Sequence, residues 1–119
     1  MRQQVGTINK NVIDTLKLTM SEGTPIFLGD SNLSHMKSEH PNDFAKYGDK
    51  LGDILNYPDF VTLHPHNGSI DYIKFFDPDH VLVAVRISAN HVAYARTLFV
   101  MSDEKVAKYM KHGYMKSVT

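Results

Sequence analysis

Apolar positions recur at two different periods along this 119-residue chain, and the change from one to the other divides it. Ile8, Val12, Leu16 and Met20 fall at i, i+4 spacing with Ile13 beside them, which predicts an amphipathic helix over 8–20. The run Ser21, Glu22, Gly23, Thr24, Pro25 stops it, and Ile26, Phe27 and Leu28 read as a short strand. Gly29, Asp30 and Ser31 then lead into a helical segment carrying His35 and His40, with Asp30 or Ser31 as its N-cap. Asn42 is placed to cap a further helix. Its stripe is Phe44, Tyr47, Leu51, Ile54 and Leu55, and it ends at Tyr57, Pro58 and Asp59.

Beyond Pro58 the apolar period becomes two, which predicts strands over about 60–64, 70–76, 80–88 and 91–100. His66-Asn67-Gly68-Ser69, Asp77-Pro78-Asp79 and Ala89-Asn90 supply the turn chemistry between them. Ser102 to Lys105 starts a closing helix with Val106 and Met110 facing inward and Gly113 at its C-terminus. The predicted fold class is α+β, with N-terminal helices packed on one face of a four- to five-stranded antiparallel sheet. Residues 1–119 read as a single domain, an N-terminal helix within 1–24 preceding a core over 25–119.

Composition narrows the function. The chain has no cysteine, which removes disulfide scaffolds, thiolate metal sites and a thiol nucleophile, and makes a cytoplasmic address the expectation. No run approaches the ~20 apolar residues that cross a bilayer, so no membrane association is expected. Thirteen Lys and Arg balance thirteen Asp and Glu, so any contact with nucleic acid must use a local patch. Residues 22–59 hold seven acids against Lys37, Lys46 and Lys50, whereas 105–116 hold Lys105, Lys108, Lys111, Lys116 and His112 with no acid. The basic end is the C-terminal one.

Strand alternation sorts the candidate chemistry. Val81, Val83, Val85 and Ile87 share one apolar face, leaving Arg86 on the other with Leu82 and Ala84. Tyr94 and Arg96 share a face, Ala95 and Thr97 the opposite one, and Tyr72 and Lys74 project together. With helices over the apolar face, Lys74, Arg86 and either Arg96 or Thr97 line the open one. That is the composition of a phosphate cradle and equally of an ordinary solvated sheet face, and Asp71 is an available partner for either arginine.

His35 and His40 raise the question of proton transfer, because imidazole titrates near neutrality. Five residues apart they sit about 140° from each other around a helix, so they share a face only where the helix ends between them. Pro41 disfavours helical geometry at His40 and permits that. The alternative for each is a helix-end residue or a partner for Glu39. His64 and His66, with His80 and His91 added in space, form a metal alternative without an acid at a recognised ligand spacing.

The order of landmarks resembles a phage and mobile-element nuclease family of the barnase/EndoU/colicin/RelE-like superfold. The matching elements are Leu33-Ser34-His35 followed by His40-Pro41, then Tyr57-Pro58-Asp59 and the strand Ile70 to Lys74. They continue with Val81 to Arg86, Tyr94 to Phe99 and Lys105 to Gly113, about the last two-thirds of the chain, with the first helix outside. The resemblance implies metal-independent RNA cleavage by attack of a ribose 2′-hydroxyl on the adjacent phosphate, with no cofactor. On that reading His40, with His35 as helper, transfers protons. Arg86, Lys74 and Arg96 hold phosphate beside Tyr94, and Thr97 orients it. It further implies a toxin or effector acting on tRNA or mRNA, with a cognate inhibitor protein as partner. A non-catalytic protein- or RNA-binding module on the same fold is the alternative. The aliphatic edge of strand 91–100 offers a homodimer contact.

Overall fold

A computed structural model of the chain describes residues 1–64 and 68–118. Among these residues the elements run β1 (Arg2–Ile8), α1 (Lys10–Leu16), β2 (Thr24–Gly29), α2 (Asp30–Glu39), α3 (Pro41–Tyr47) and, after a 3-10 turn at Gly48–Lys50, α4 (Leu51–Asn56). There follow β3 (Phe60–Leu63), β4 (Ile70–Phe76), β5 (Asp79–Ile87), β6 (Ala93–Val100), α5 (Asp103–Lys111) and β7 (Lys116–Ser117). The strands form one sheet in the order β1-β2-β6-β5-β4-β3-β7. Six neighbouring pairs hold it together, and β2 with β6 is the parallel one.

The expected antiparallel sheet of four or five strands is therefore corrected to a seven-stranded mixed one. The difference begins at the N-terminus. Residues 2–8 are an edge strand rather than a coil leading into a helix at 8. Its first three residues, Arg2, Gln3 and Gln4, are exposed, so the strand carries no apolar alternation to read. Asn9 caps α1 by accepting the Val12 N–H at 3.1 Å, and Lys17 in the left-handed region (φ 56°) closes it after Leu16. Of the predicted stripe, Val12 and Leu16 do lie buried on a helix, whereas Ile8 is buried from a strand. Gly6 lets β1 pass close to α4, where a Cβ would stand a tight 3.1 Å from Leu55 Cβ and 3.2 Å from Asn56 Oδ1.

The second helical region breaks where backbone chemistry requires it. Gly29 precedes α2, its N–H bonded to Asn32 Oδ1 at 3.0 Å, so neither Asp30 nor Ser31 is the cap. His40, not Asn42, ends α2 and begins α3, with Pro41 at the first helical position where its missing N–H costs nothing. The closing helix starts as expected, Ser102 accepting the Lys105 N–H at 3.1 Å. Val106 packs inward, but Met110 is 53% exposed and Tyr109 takes the inner position.

The main core lies between one face of the sheet and α1 to α4. Ile26, Leu28, Tyr72, Val81, Val83, Val85 and Leu98 meet Val12, Leu16, Met36, Tyr47, Leu51, Ile54 and Leu55. A smaller cluster of Ile73, Leu82 and Met101, with Phe60, Phe99, Val106 and Tyr109, lies on the opposite face under α5. That face, expected to be open, is thus half covered, and the exposed part is what the smaller cluster leaves. The edge expected to mediate a homodimer is partly occupied, by β2 at Ala93 and Tyr94. β6 lies between β2 and β5, and where β2 leaves it Asp43 Oδ2 accepts the Val100 N–H at 3.0 Å.

Tyr72 is fully buried and its hydroxyl has no hydrogen-bond partner among the described residues, with burial pushing its pKa up. Tyr72→Phe is expected to raise stability by about 1–3 kcal/mol, read from urea midpoints, because it removes a desolvated orphan and keeps the ring. Asp79 accepts from the Tyr47 hydroxyl and from Lys46 Nζ (3.1 Å), joining α3 to β5. The Tyr47 hydrogen bond, then that of Lys46, holds the Asp79 carboxyl below its ordinary value. A depressed folded-state pKa gives stability that is present above the unfolded value of about 3.9 and lost as pH falls through the folded one. The acid limb of the stability curve is therefore expected to flatten in Asp79→Asn.

Candidate nucleic-acid interface

The register across the sheet assigns each polar side chain to a face. Arg86 pairs with Tyr94, and Val85 with Ala95, but Ala84 pairs with Thr97, so Arg96 is an extra residue bulging from β6. Alternation shifts at that point. Ala95 and Leu98 both enter the main core, while Tyr94, Thr97 and Phe99 share the opposite face with Arg86, Ala84 and Leu82. Thr97 therefore lies on the same face as Tyr94, contrary to simple period-two reading. Arg96 and Thr97 both belong beside Arg86.

Arg86, Tyr94 and Arg96 line one cleft of about 280 Å³ with Asn32 from α2 and Ser88. Both arginines are exposed, and among the described residues neither is ion-paired. Asp71, their anticipated competitor, is engaged elsewhere. An adjoining cleft of about 480 Å³ shares Asn32 and Tyr94 and adds Arg2, Gly29, Asp30 and Ser31. Arg2 donates to the Tyr94 hydroxyl at 3.2 Å, and its guanidinium carbon stands 4.0 Å from the Phe27 ring centroid. Phe27 and Tyr94 are 6.3 Å apart, centroid to centroid. Three guanidinium groups and two aromatic rings thus occupy one stretch of surface, the composition that holds phosphate and stacks bases.

His40 reaches the same face further along β6. Its ring lies 5.3 Å from that of Phe99, tilted by 33°. Its backbone is fixed from both sides, the N–H bonded to Met36 O at 3.2 Å and the carbonyl to Phe44 N at 2.9 Å. Lys105 Nζ stands 4.7 Å from the Phe99 centroid, so an imidazole and an ammonium group share one aromatic platform. Thr97 is one side-chain row from Phe99 and one from Tyr94, roughly 7 Å in either direction along the strand.

Two predicted site residues stand apart from this arrangement. Lys74 pairs with Val81, a main-core position, and its Nζ donates to Tyr57 O at 2.7 Å. It lies on the helix-covered face, and its grouping with Arg86 is corrected. Tyr72 shares that face with Lys74 and points into the core. His35 is half exposed on α2 and contacts Glu39 through Nε2 at 3.2 Å, the carboxylate partner considered for it. Of the metal alternative, His66 lies outside the described residues, and among the described ones no three His, Asp or Glu converge.

Sequence reading missed Arg2, Asn32 and Lys105. Arg2 carried no signal because its strand was unrecognised, and Asn32 is one polar residue in a polar helix start. Lys105 was visible as part of the basic C-terminal segment, and the fall of α5 across Phe99 gives it a place.

Over residues 3–108 the chain matches the family described as phage-Barnase-EndoU-ColicinE5/D-RelE like nuclease3. It belongs to that nuclease family. The chain matches no curated protein and no solved structure. The match begins within β1 and so takes in α1, which the resemblance by motifs left outside its span. Arg2 adjoins the start of the matched region, and His40, Arg86, Tyr94, Arg96, Thr97 and Lys105 all fall inside it. No helix among the described residues is long and apolar enough to cross a membrane.

Proposed function

We propose that this nuclease is an endoribonuclease that cleaves by attack of a ribose 2′-hydroxyl on the adjacent phosphodiester, requiring neither metal nor cofactor. The observation that carries the reading is that Arg86, Arg96, Tyr94, Thr97 and His40 lie along one face of the sheet, the arginines and Tyr94 at one cleft and His40 further along β6 beside Phe99. In this scheme the guanidinium groups bind the phosphate and stabilise its charge as the pentacoordinate state forms. Thr97 hydrogen-bonds a non-bridging oxygen. His40 exchanges protons with the sugar hydroxyl or the leaving oxygen, and Lys105, sharing the Phe99 platform, adds positive charge beside it. His35 stands second to His40, oriented by Glu39. A phage-encoded toxin or effector acting on tRNA or mRNA, kept in check by an inhibitor protein in the cytoplasm, is the setting this chemistry fits.

The test is purified protein with total RNA in excess EDTA. Cleavage is expected, with 2′,3′-cyclic phosphate and 5′-hydroxyl ends on the fragments. Tight RNA or protein binding with the RNA left intact at high protein concentration would make the chain a binding module instead.

A further inference from the structure

The N-terminal strand brings a third guanidinium to the face that carries Arg86 and Arg96. Arg2, one residue ahead of the matched 3–108, is fixed at two points. Its guanidinium carbon lies 4.0 Å from the centre of the Phe27 ring, and Nη1 donates to the Tyr94 hydroxyl at 3.2 Å. That hydrogen bond uses one of the five N–H donors a guanidinium carries. Among the described residues Arg2 makes no ion pair, and Asp30, an acid of the same cleft, has its carboxylate on the Met1 amino group at 2.6 Å. A charge that only guards an edge strand has to be exposed, not oriented. Arg2 is oriented, at a cost in side-chain freedom, and its remaining donors are unspent.

Two clefts meet beside it. Arg2 lines the wider, of about 480 Å³, and Arg86 with Arg96 the narrower, of about 280 Å³, while Tyr94 and Asn32 belong to both. Tyr94 pairs with Arg86 on one side and with Phe27 on the other, so its ring divides the three guanidinium groups into a pair and a single one. Asn32 accepts the Gly29 N–H through Oδ1 at 3.0 Å, which leaves its amino group, a donor, for the clefts.

We propose that the wider cleft is a second phosphate subsite, where Arg2 and the Asn32 amino group hold the phosphate next to the one gripped by Arg86 and Arg96 along a single unpaired strand. The nucleoside that joins the two phosphates crosses Tyr94. Grooves that track a single strand combine cations and aromatic rings in this way. On a chain of zero net charge, each such contact is a large share of the attraction to a nucleic-acid backbone. Only the assignment of the narrower cleft to the scissile phosphate rests on the ribonuclease reading.

The experiment is NMR titration of the labelled full chain, at several salt concentrations, with two 2′-deoxy oligonucleotides that have no terminal phosphates: a dinucleotide with one phosphodiester and a trinucleotide with two. The trinucleotide is expected to bind about tenfold tighter, the worth of one further charge-assisted contact. The slope of log affinity against log salt should steepen by about 0.7, as one more phosphate on a single strand requires. Arg2→Ala should remove both the gain and the added slope and leave dinucleotide affinity unchanged. Arg2→Lys should keep the slope and lose part of the affinity, since an ammonium group supplies the charge without the fork. Lys10→Ala, which takes an equal charge from the start of α1, should alter neither. A trinucleotide that binds no tighter than the dinucleotide, a gain that survives in Arg2→Ala, or equal weakening of both oligonucleotides by Arg2→Ala would overturn the proposal. In the wild type, Arg2 and Phe27 signals should shift with the trinucleotide and stay in place with the dinucleotide, a readout that decides the matter even where a variant fails to fold. RNA cleavage by a protein without the second-phosphate gain would keep the ribonuclease reading and remove the subsite. A gain through Arg2 in a protein that leaves RNA intact would do the reverse.

Discussion

His40→Ala is expected to lower kcat/KM for RNA cleavage by about 10²- to 10⁴-fold, the usual worth of a positioned proton-transfer group. The position of the ring explains why so much rests on it. The α2–α3 junction holds the His40 backbone through hydrogen bonds on both sides, and Phe99 supports the ring from the sheet. The side chain therefore has little freedom to lose when substrate binds. Far-UV circular dichroism should be unchanged, because the capping contacts are backbone ones that alanine retains. Added imidazole should restore part of the lost rate, since the vacated space lies against an exposed face. A variant that cleaves as well as the wild type would remove His40 from the chemistry.

Arg86→Ala should cost about 10²- to 10³-fold in kcat, the scale of losing one preorganised charge-stabilising donor. Arg86→Lys should recover little, because an ammonium group cannot present the planar fork that grips two phosphate oxygens at once. The side chain is exposed and among the described residues has no ion pair, so stability should stay within about 0.5 kcal/mol of wild type. Lys74→Ala is the matched control. It removes an equal charge from the helix-covered face, where Lys74 is bonded to the Tyr57 carbonyl, and should leave cleavage unaltered. A loss in Lys74→Ala as large as in Arg86→Ala would point to general charge rather than to the face.

The four strands between Phe60 and Val100 were legible because their apolar positions recur at period two, and Val81, Val83 and Val85 could face nowhere else. The faces of Arg86 and Tyr94 followed from that alternation. Two physical features hid the rest. An edge strand of Arg2, Gln3 and Gln4 is held by backbone pairing to β2, and backbone pairing leaves no mark in side-chain pattern. The bulge at Arg96 shifts the alternation of β6 by one residue, which moved Thr97 to the face of Arg86 without any Gly or Pro to announce it. Lys74 was misplaced for a related reason. Its strand is buried from Ile70 to Ile73, with core contacts on both faces, so alternation no longer separates a wet side from a dry one.

On the proposed function, the arginines of β5 and β6 and the imidazole from the helical half serve one RNA backbone on one face of the sheet. Titrating isotope-labelled protein with an oligonucleotide that lacks 2′-hydroxyls, and so resists cleavage, tests it by NMR. Signals of Arg86, Tyr94, Arg96, Thr97 and the His40 ring should shift together at a common affinity, while Lys74 and Tyr57 stay in place. Shifts centred on Lys74 and Tyr57, or a bound strand that perturbs the arginines and leaves His40 untouched, would contradict it.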